Sequence, residues 1–432
     1  MTADVHRRMG EEWDQRARED PYYYVAFGRR GQSEEEFFAT AEEVVRGLER
    51  ELKRLPAGNR RAWRALEIGC GPGRLLRPMS RHFGEIHGVD VSEEMIRRAR
   101  EKLRDIPHAH AHHTERSDLA AFADESFDLV YSYAVFQHIP DRAVVFGYLR
   151  EARRVLKTGG LLRCQFNGLP AVAGAGDTWN GVRVSAGEAA AFARKADFQL
   201  LALEGAGTQY LWATCRKQPA GWRDSLGRRG EAPPRIRRIT NAHSSEPVAP
   251  VRGRFAALAV WMEDLPADCD LNHLRLRIGG AECAASYLGP AEPDGLQQLN
   301  VPLPEGLAGG LQPIEILWLD EPLCPPATVR LVRPGPPVPR LVAVTDGIDL
   351  LSDARIVHRS VKLVVEEVER PDQLRVRVSG SAVADMEWFC VNPRIPTWEV
   401  NFPLPDQILA GSHTLELELA SRRLAPVLIE VV

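Results

Sequence analysis

The sequence predicts an α/β domain with a doubly wound sheet, followed by two all-β sandwich domains. Three observations predict this fold class. Up to residue 217, apolar runs of strand length alternate with helical periodicity, and beyond it helical periodicity nearly disappears. Segments of the second half also recur about 100 residues apart. Strands that alternate with helices form a parallel sheet covered on both faces, whereas short strands separated by Pro and Gly are typical of sandwiches.

The elements of the first domain, residues 1–217, follow from hydrophobic periodicity and length. Apolar residues three and four apart predict helices, at residues 34–55, 75–83, 93–103, 142–156 and 185–196. Short apolar runs between them predict strands, at residues 65–68, 86–91, 127–135 and 161–166 and near residues 200 and 211.

A polar and basic stretch at residues 218–233 is typical of a linker. Beyond it, residues 234–240 match 339–345, residues 274–280 match 374–380, and residues 300–304 match 401–405. The repeat predicts two β-sandwich domains of similar size, at residues 234–333 and 339–432. A proline-rich joint is expected between them, formed by Pro334, Pro336, Pro337 and Pro339.

Composition excludes several classes of protein. A formal net charge of −4 gives no electrostatic reason to expect nucleic acid as a partner. We find no apolar stretch of about 18 residues, so no membrane span is expected. The charged first 20 residues lack the apolar core of a signal peptide, so we expect a cytoplasmic protein. The seven cysteines contain no CxxC pair, so neither a zinc site nor a disulfide framework is expected.

The strongest chemical signal is Leu66-Glu-Ile-Gly-Cys-Gly-Pro-Gly73, where an apolar strand meets three glycines before a predicted helix. Glycines allow a ligand to approach the backbone closely, and a helix N-terminus favours an anion. Asp90 ends the next strand, where an acid can accept hydrogen bonds from ribose hydroxyls. A dinucleotide fingerprint would read GxGxxG, and Glu67 would repel a pyrophosphate but attract an amino group.

On these motifs, residues 13–216 resemble a class I S-adenosylmethionine-dependent methyltransferase of the small-molecule type. Segments 67–73, 88–92, 117–128 and 155–160 match the family's motifs in order, although Ala120 and Ala121 replace a common Leu-Pro pair. The resemblance implies a Rossmann-like fold that binds S-adenosylmethionine across the carboxyl ends of the strands. It places cofactor contacts at Glu67, Gly69, Cys70, Gly71, Gly73, Asp90, Val91, Asp118, Leu119 and Ser132.

The residues that bind or activate the methyl acceptor are assigned only as candidates. His138 follows the fourth predicted strand and is the candidate general base for a hydroxyl acceptor, although a structural histidine is the alternative. We expect O-methylation of a small-molecule or carbohydrate acceptor. The candidate acceptor contacts are Tyr24, Tyr133, Gln137, Asp177 and Trp179.

Other interpretations remain open from sequence. His108, His110 and His112 alternate as on one strand face, but they lack evident supporting carboxylates, so no metal is expected. The β-domains resemble bacterial immunoglobulin-like modules, which implies a protein or polymer partner. The alternative function is a cofactor-binding scaffold or interaction protein with little or no catalytic activity. A third possible function is a different reaction that uses S-adenosylmethionine or a nicotinamide cofactor.

Overall fold

The computed structural model describes residues 2–26, 31–116, 118–171, 176–227, 232–335, 337–348, 353–392 and 395–432. Ser117, Pro336 and part of the expected linker therefore lie outside the described residues. Two compact units divide the chain. One comprises Met1–Pro21 and Phe38–Arg333, and the other comprises Tyr22–Phe37 and Pro334–Val432. This division does not fall at the linker expected after residue 217.

Eight α-helices lie in the described residues, all of them in the first half of the chain. They are α1 (Thr2–Glu19), α2 (Pro21–Ala26), α3 (Glu34–Ala39), α4 (Glu42–Glu51), α5 (Leu76–Met79), α6 (Glu93–Lys102), α7 (Arg142–Val155) and α8 (Ala186–Lys195). The predicted helix at 34–55 is divided between α3 and α4, and α1 was not predicted. None of the helices within these ranges has the length and apolar character needed to cross a membrane.

Seven strands form the sheet of the α/β domain in the order β3-β2-β1-β4-β5-β7-β6. Only β7 runs antiparallel to its neighbours β5 and β6. The predicted α/β fold class is therefore confirmed. The strands are β1 (Arg64–Ile68), β2 (Glu85–Asp90), β3 (Ala109–His113), β4 (Phe127–Ser132), β5 (Leu156–Phe166), β6 (Phe198–Glu204) and β7 (Leu211–Lys217).

The same sheet continues into the first β-sandwich through β13, β14, β10 and β8, which makes it eleven strands wide. Tyr287 in β13 pairs antiparallel with Ala202 in β6. A second sheet, in the order β12-β11-β15-β17-β9 with β16 on β15, completes the sandwich. These strands are β8 (Arg235–Asn241), β9 (Val248–Pro250), β10 (Ala257–Glu263), β11 (Leu274–Ile278), β12 (Ala281–Cys283), β13 (Tyr287–Leu288), β14 (Gln297–Pro302), β15 (Gly310–Trp318), β16 (Glu321–Pro322) and β17 (Ala327–Val332).

The second unit contains a sandwich with the same strand order, as the sequence repeat predicts. Its sheets are β18-β20-β24-β23 and β19-β27-β25-β21-β22, with β26 on β25. The strands are β18 (Arg340–Asp346), β19 (Arg355–Ile356), β20 (Ser360–Glu366), β21 (Leu374–Val378), β22 (Ser381–Ala382), β23 (Glu387–Asn392), β24 (Thr397–Pro403), β25 (Gly411–Leu419), β26 (Arg422–Arg423) and β27 (Val427–Val431). Whether either sandwich is immunoglobulin-like stays a prediction.

Candidate active site

The glycine loop between β1 and β2 has a backbone conformation that requires glycine. Gly69, Gly71 and Gly73 have φ angles of 75°, 51° and 89°, in the left-handed region where glycine carries no steric penalty. Gly69 N donates to Val89 O at 2.8 Å, and a Cβ on Gly69 would collide with the Val135 side chain. The segment after β4 therefore lies directly against the loop.

Asp90 ends β2 and joins the glycine loop to the start of α6. Its Oδ2 accepts a hydrogen bond from Gly71 N, and its Oδ1 accepts one from Ser92 N, both at 2.9 Å. Burial raises the pKa of this carboxyl group. Each carboxylate oxygen has two lone pairs, so each retains one for a further donor. The structure thus brings Asp90 to the glycine loop, and contacts of Asp90 and Val91 with a cofactor stay predictions.

Two buried groups of opposite charge type flank the glycine loop. Tyr131 Oη donates to Glu67 Oε2 at 3.0 Å, and burial raises the pKa of Glu67 to about 8. Arg74 Nη1 donates to Thr40 Oγ1 at 3.2 Å, and its guanidinium carbon lies 5.4 Å from the centre of the Tyr133 ring. Within the described ranges Arg74 forms no ion pair shorter than 4.0 Å. Glu67 acts on Arg74 electrostatically without forming a salt bridge. Because a buried cation without a salt bridge is costly, Arg74 is a candidate ligand-binding residue that sequence reasoning did not assign.

The helix predicted at residues 75–83 consists of α5, which begins at Leu76, three residues beyond Gly73, and of a 3-10 helix at Ser80–His82 that follows it directly. Binding of an anion at its N-terminus stays a prediction. The side chain of Arg74 adds a positive charge beside the loop, and its position directly after the third glycine was the sequence signal for it.

The segment after β4 departs sharply from the strand that was predicted to continue to residue 135. Ser132 Oγ donates to Ile68 O at 2.9 Å and so links β4 to β1. Ala134 has a φ of 56°, which is unfavourable for alanine, and its N–H donates to Gln165 Oε1 at 3.0 Å. The positive φ ends the strand at Ser132. A contact between Ser132 and a cofactor stays a prediction.

His138 is buried, and both of its ring nitrogens have partners within the protein. Nδ1 lies 2.8 Å from Trp179 O, and Nε2 lies 3.2 Å from Gln137 Nε2. Gln137 Oε1 also accepts from Gln165 Nε2 at 3.1 Å, and the Trp13 ring contacts the imidazole edge-on at 5.4 Å. Burial lowers the pKa of His138 to about 4. This geometry favours the structural alternative over the general base, and the catalytic role stays a prediction.

Asp177 and Trp179 lie in one turn after β5, next to His138. Asp177 Oδ1 accepts hydrogen bonds from the backbone N–H groups of Trp179, at 2.7 Å, and of Asn180. The Trp179 ring lies 5.6 Å from the His138 ring and 5.4 Å from the Arg16 guanidinium. Asp177 therefore shapes the turn that positions Trp179. An acceptor contact by either residue stays a prediction.

A second stacked pair lies beside this region. The Tyr133 ring stacks on Trp212 of β7 with a centroid distance of 5.3 Å and an interplanar angle of 3°. The Arg74 guanidinium also lies over the Tyr133 ring. Arg163 lies over the Trp212 ring at 4.7 Å. The structure therefore brings Tyr133, a predicted acceptor contact, together with Arg74 in one half-buried stack.

The residues predicted to contact adenine lie after β3. Leu119 is buried and its N–H donates to Glu151 Oε2 at 3.1 Å. Asp118 is half-buried, with Oδ2 lying 3.4 Å from Arg116 Nε, and the preceding Ser117 lies outside the described residues. The structure positions Leu119 firmly, and adenine contacts by Asp118 and Leu119 stay predictions.

Two other predicted residues occupy different surroundings. The Cys70 side chain is buried against β2, where a Cβ on Gly88 would lie 2.8 Å from the Cys70 sulfur. Tyr24 belongs to the second compact unit, whereas the glycine loop belongs to the first. Contacts of Cys70 with a cofactor and of Tyr24 with an acceptor therefore stay predictions.

The N-terminal helix α1 lies across the segments that follow β2 and β3, which sequence reasoning missed. Asp14 Oδ1 accepts from Ser92 Oγ at 2.6 Å and from Glu94 N at 3.1 Å. His6 Nε2 lies 2.9 Å from Thr114 O. These contacts, together with the Trp13 contact described above, place α1 over the carboxyl ends of the parallel strands.

A periodic signal for α1 exists, although the many charged residues obscure it. Met9 and Ala17 are buried and Trp13 is half-buried, and the three are spaced four residues apart on one face of a helix. Charged side chains fill most of the remaining positions. An amphipathic stripe this narrow is easily overlooked in a chain segment without a clear N-cap.

The histidine cluster is only partly assembled. His87 on β2 packs with His110 and His112 on β3, and His87 Nδ1 lies 3.0 Å from His112 Nε2. His108 precedes the strand and instead lies 3.1 Å from Ser80 O, because β3 begins at residue 109. Across the described ranges no group of three or more His, Cys, Asp or Glu side chains is arranged to hold a metal ion.

Comparison with known proteins finds similarity in one segment of this chain, which contains the glycine loop. Residues 66–164 match the family described as a methyltransferase domain. The chain is 34% identical over 110 residues to demethylmenaquinone methyltransferase of Staphylococcus aureus, covering 25% of this chain and 44% of that protein. It is 37% identical over 103 residues to a 37.1 kDa protein in transposon TN4556 of Streptomyces fradiae, covering 23% and 28% of the respective chains. The chain thus spans less than half the length of these curated relatives.

A structural comparison also finds partial similarity to solved structures. A SAM-dependent methyltransferase from Aquifex aeolicus aligns with 18% sequence identity and a TM-score of 0.30, covering 40% of this chain and 96% of that one.

Proposed function

We propose that the chain is a class I S-adenosylmethionine-dependent methyltransferase that transfers a methyl group from this cofactor to an acceptor, because residues 66–164 match a methyltransferase domain. The observation that carries the proposal is the single site formed by the glycine loop, Glu67 and Asp90, all within the matched segment. Bound S-adenosylmethionine would supply an activated methyl group. The chain's own residues would bind it, orient the acceptor and exclude water.

The charges around the glycine loop fit the two charged ends of a methionine. Glu67 offers a buried carboxyl group to an ammonium, and Arg74 offers buried donors to a carboxylate. Asp90 retains acceptor capacity for ribose hydroxyls after its two backbone hydrogen bonds. A dinucleotide would instead place a pyrophosphate beside Glu67, which is electrostatically unfavourable.

For the acceptor we propose a small molecule or a carbohydrate, methylated on oxygen. A curated relative is named for demethylmenaquinone, a small-molecule acceptor. Tyr133, Gln137 and Trp179 lie near the segment after β4, and aromatic rings with amides suit a planar or polyol acceptor. The β-sandwiches would hold a larger polymer or protein partner in the same proposal.

We expect binding of S-adenosylhomocysteine to release a proton at pH 7. The pKa of Glu67 is about 8 in the ligand-free protein, so its carboxyl group is mostly protonated at this pH. An ammonium placed beside it favours the ionised form and lowers that pKa. Calorimetry in buffers of different ionisation enthalpy measures the protons released, and Glu67→Gln should abolish this release.

The control for this experiment is Glu101→Gln, which changes an exposed glutamate on α6 and should leave proton release unchanged. Titration with NAD tests the nicotinamide alternative, and we expect no saturable binding. Equal proton release by Glu67→Gln would remove Glu67 from the cofactor site. Binding of NAD in preference to S-adenosylhomocysteine would contradict the proposed function itself.

The raised pKa of Glu67 has a separate effect on stability in the ligand-free protein. The folded state binds this proton more tightly than the unfolded state, whose value is near 4.5. The stabilising contribution is therefore complete below about pH 4.5 and is lost as the pH rises through about 8. Glu67→Gln should flatten this part of the stability profile.

For turnover, a panel of hydroxyl-bearing small molecules and sugars should identify an acceptor through formation of S-adenosylhomocysteine. We then expect His138→Ala to lower the melting temperature and to leave turnover per folded molecule within about tenfold. Both ring nitrogens are already hydrogen bonded, so deletion costs about 1–3 kcal/mol of stability. The pKa of His138 is about 4, below the ordinary histidine value of 6.5. The pH–rate profile should therefore show no change near pH 6.5 that depends on His138.

Two results would oppose these expectations. A loss of 100-fold or more in turnover with unchanged stability would establish His138 as the general base. Cofactor binding without turnover on any acceptor of the panel would instead favour the scaffold alternative.

A further inference from the structure

The two sandwiches have the same strand order, yet the equivalent edges have different surroundings. In the first sandwich, β13 lies at the end of the order β13-β14-β10-β8 and pairs with β6. Leu203 N donates to Ser286 O at 2.7 Å across this junction. In the second sandwich, β23 ends the order β23-β24-β20-β18, and no further strand of the described chain pairs with it. The same edge is thus covered in one repeat and open in the other.

The pairing register identifies equivalent residues on these edges. Leu288 lies opposite Leu299, and Trp388 lies opposite Val400. Leu299 and Val400 are equivalent because each immediately precedes a copy of the repeated Asn-x-Pro-Leu-Pro motif. Leu288 is 3% exposed, whereas Trp388 is 39% exposed. The equivalent of a buried position therefore carries a larger apolar side chain that is open to solvent.

The open edge has the composition of a contact surface. Trp388 and Phe389 are successive residues and so point to opposite faces of the sheet, and Phe389 is 53% exposed. Residues 387–392 contain no Lys, Arg or Pro, which are common protections of a free edge. The pairing with β24 is irregular only between Cys390 and Asn392, so residues 387–390 present a regular strand.

We propose that β23 pairs antiparallel with β23 of a second copy of this chain, forming a dimer about a twofold axis. Antiparallel pairing of a strand with its own copy covers both open edges at once and closes the assembly at two chains. Pairing with any other edge of a second copy would leave an edge open and extend into filaments.

The β23 sequence is compatible with this twofold pairing. With the axis at Phe389, Phe389 faces its own copy, Trp388 faces Cys390 and Glu387 faces Val391, so no like charges lie opposite each other. Trp388 and Phe389 of both copies would become less exposed to solvent in this dimer. The junction of β13 with β6 shows that this sandwich edge accepts a neighbouring strand in the antiparallel direction.

Sedimentation equilibrium of the full chain over micromolar concentrations tests the proposal. We expect a reversible dimer whose dissociation constant rises at least about 30-fold in Phe389→Lys, because central aromatic contacts dominate such interfaces. The matched control is Leu409→Lys, which places the same charge on an apolar residue that is 72% exposed in the same unit. Circular dichroism and melting temperature would verify that each variant is folded.

A second measurement does not depend on a destabilising variant. Cys390 lies within β23 and is the exposed cysteine of the described chain. In the proposed pairing the two copies of Cys390 lie close to the axis, so a short bis-maleimide should link two chains through them. Cys390→Ser should abolish the cross-link without changing the dissociation constant greatly. A wild-type chain that stays monomeric throughout this range, or a dimer unaffected by Phe389→Lys, would overturn the proposal.

Discussion

Replacement of Asp90 by alanine should reduce the affinity for S-adenosylhomocysteine by about 30- to 1,000-fold. Two hydrogen bonds from ribose hydroxyls to a carboxylate contribute together about 2–4 kcal/mol. Asp90 also accepts hydrogen bonds from Gly71 N and Ser92 N, so the variant loosens the glycine loop as well. Both effects lower affinity, and isothermal calorimetry on the folded protein measures their sum.

Two further variants separate these effects. Asp90→Asn keeps an acceptor on one oxygen and can still hold one backbone N–H, so it should lose less affinity than alanine. Asp105→Ala removes a carboxylate that is 65% exposed and should leave binding unchanged. An unaltered affinity in folded Asp90→Ala would exclude Asp90 from the cofactor site.

A chain that ends at residue 217 should be far less stable than one that ends at residue 335, with a melting temperature lower by about 10 °C or more. A single apolar core runs from Met9 to Leu331 through both the α/β domain and the first sandwich. Across this junction, Leu271 N donates to Leu200 O at 2.9 Å. The Gln199 amide donates to the carbonyls of Ala267 and Cys269, both at 2.8 Å.

The shorter fragment opens this core and leaves β6 as an unpaired edge, which favours aggregation. The sequence pattern leads to the opposite expectation, because the polar linker at 218–233 would separate a first domain, residues 1–217, that folds and binds cofactor by itself. Scanning calorimetry and light scattering of the two fragments distinguish the alternatives. Equal melting temperatures and equal cofactor affinity would show that the α/β domain is self-sufficient.

Several features of the site were predictable because their causes are local. The left-handed φ angles of Gly69, Gly71 and Gly73 need glycine whatever surrounds them. Asp90 lies at the end of an apolar strand that sequence periodicity reveals, so its position near the loop follows from parallel-strand topology. The strand order of the second half was likewise implied by the repeated motifs.

Other features depend on contacts that leave no local trace. Arg74 and His138 acquire their properties by burial, and an isolated sequence does not show which side chains enclose them. The division into two compact units could not be predicted from the sequence either, because residues 22–37 belong to the same unit as the C-terminal sandwich.

The sequence by itself determined the α/β and all-β classes, the glycine loop with its acid, and the internal repeat, because short-range periodicity and backbone sterics encode all three. Only the tertiary structure decided that β6 joins β13, that α1 crosses the strand ends, and that β23 stays an open edge. These outcomes rest on pairing between residues far apart in the chain, such as Ala202 with Tyr287. Such pairing is selected by the burial of whole surfaces, and no window of neighbouring residues contains that information.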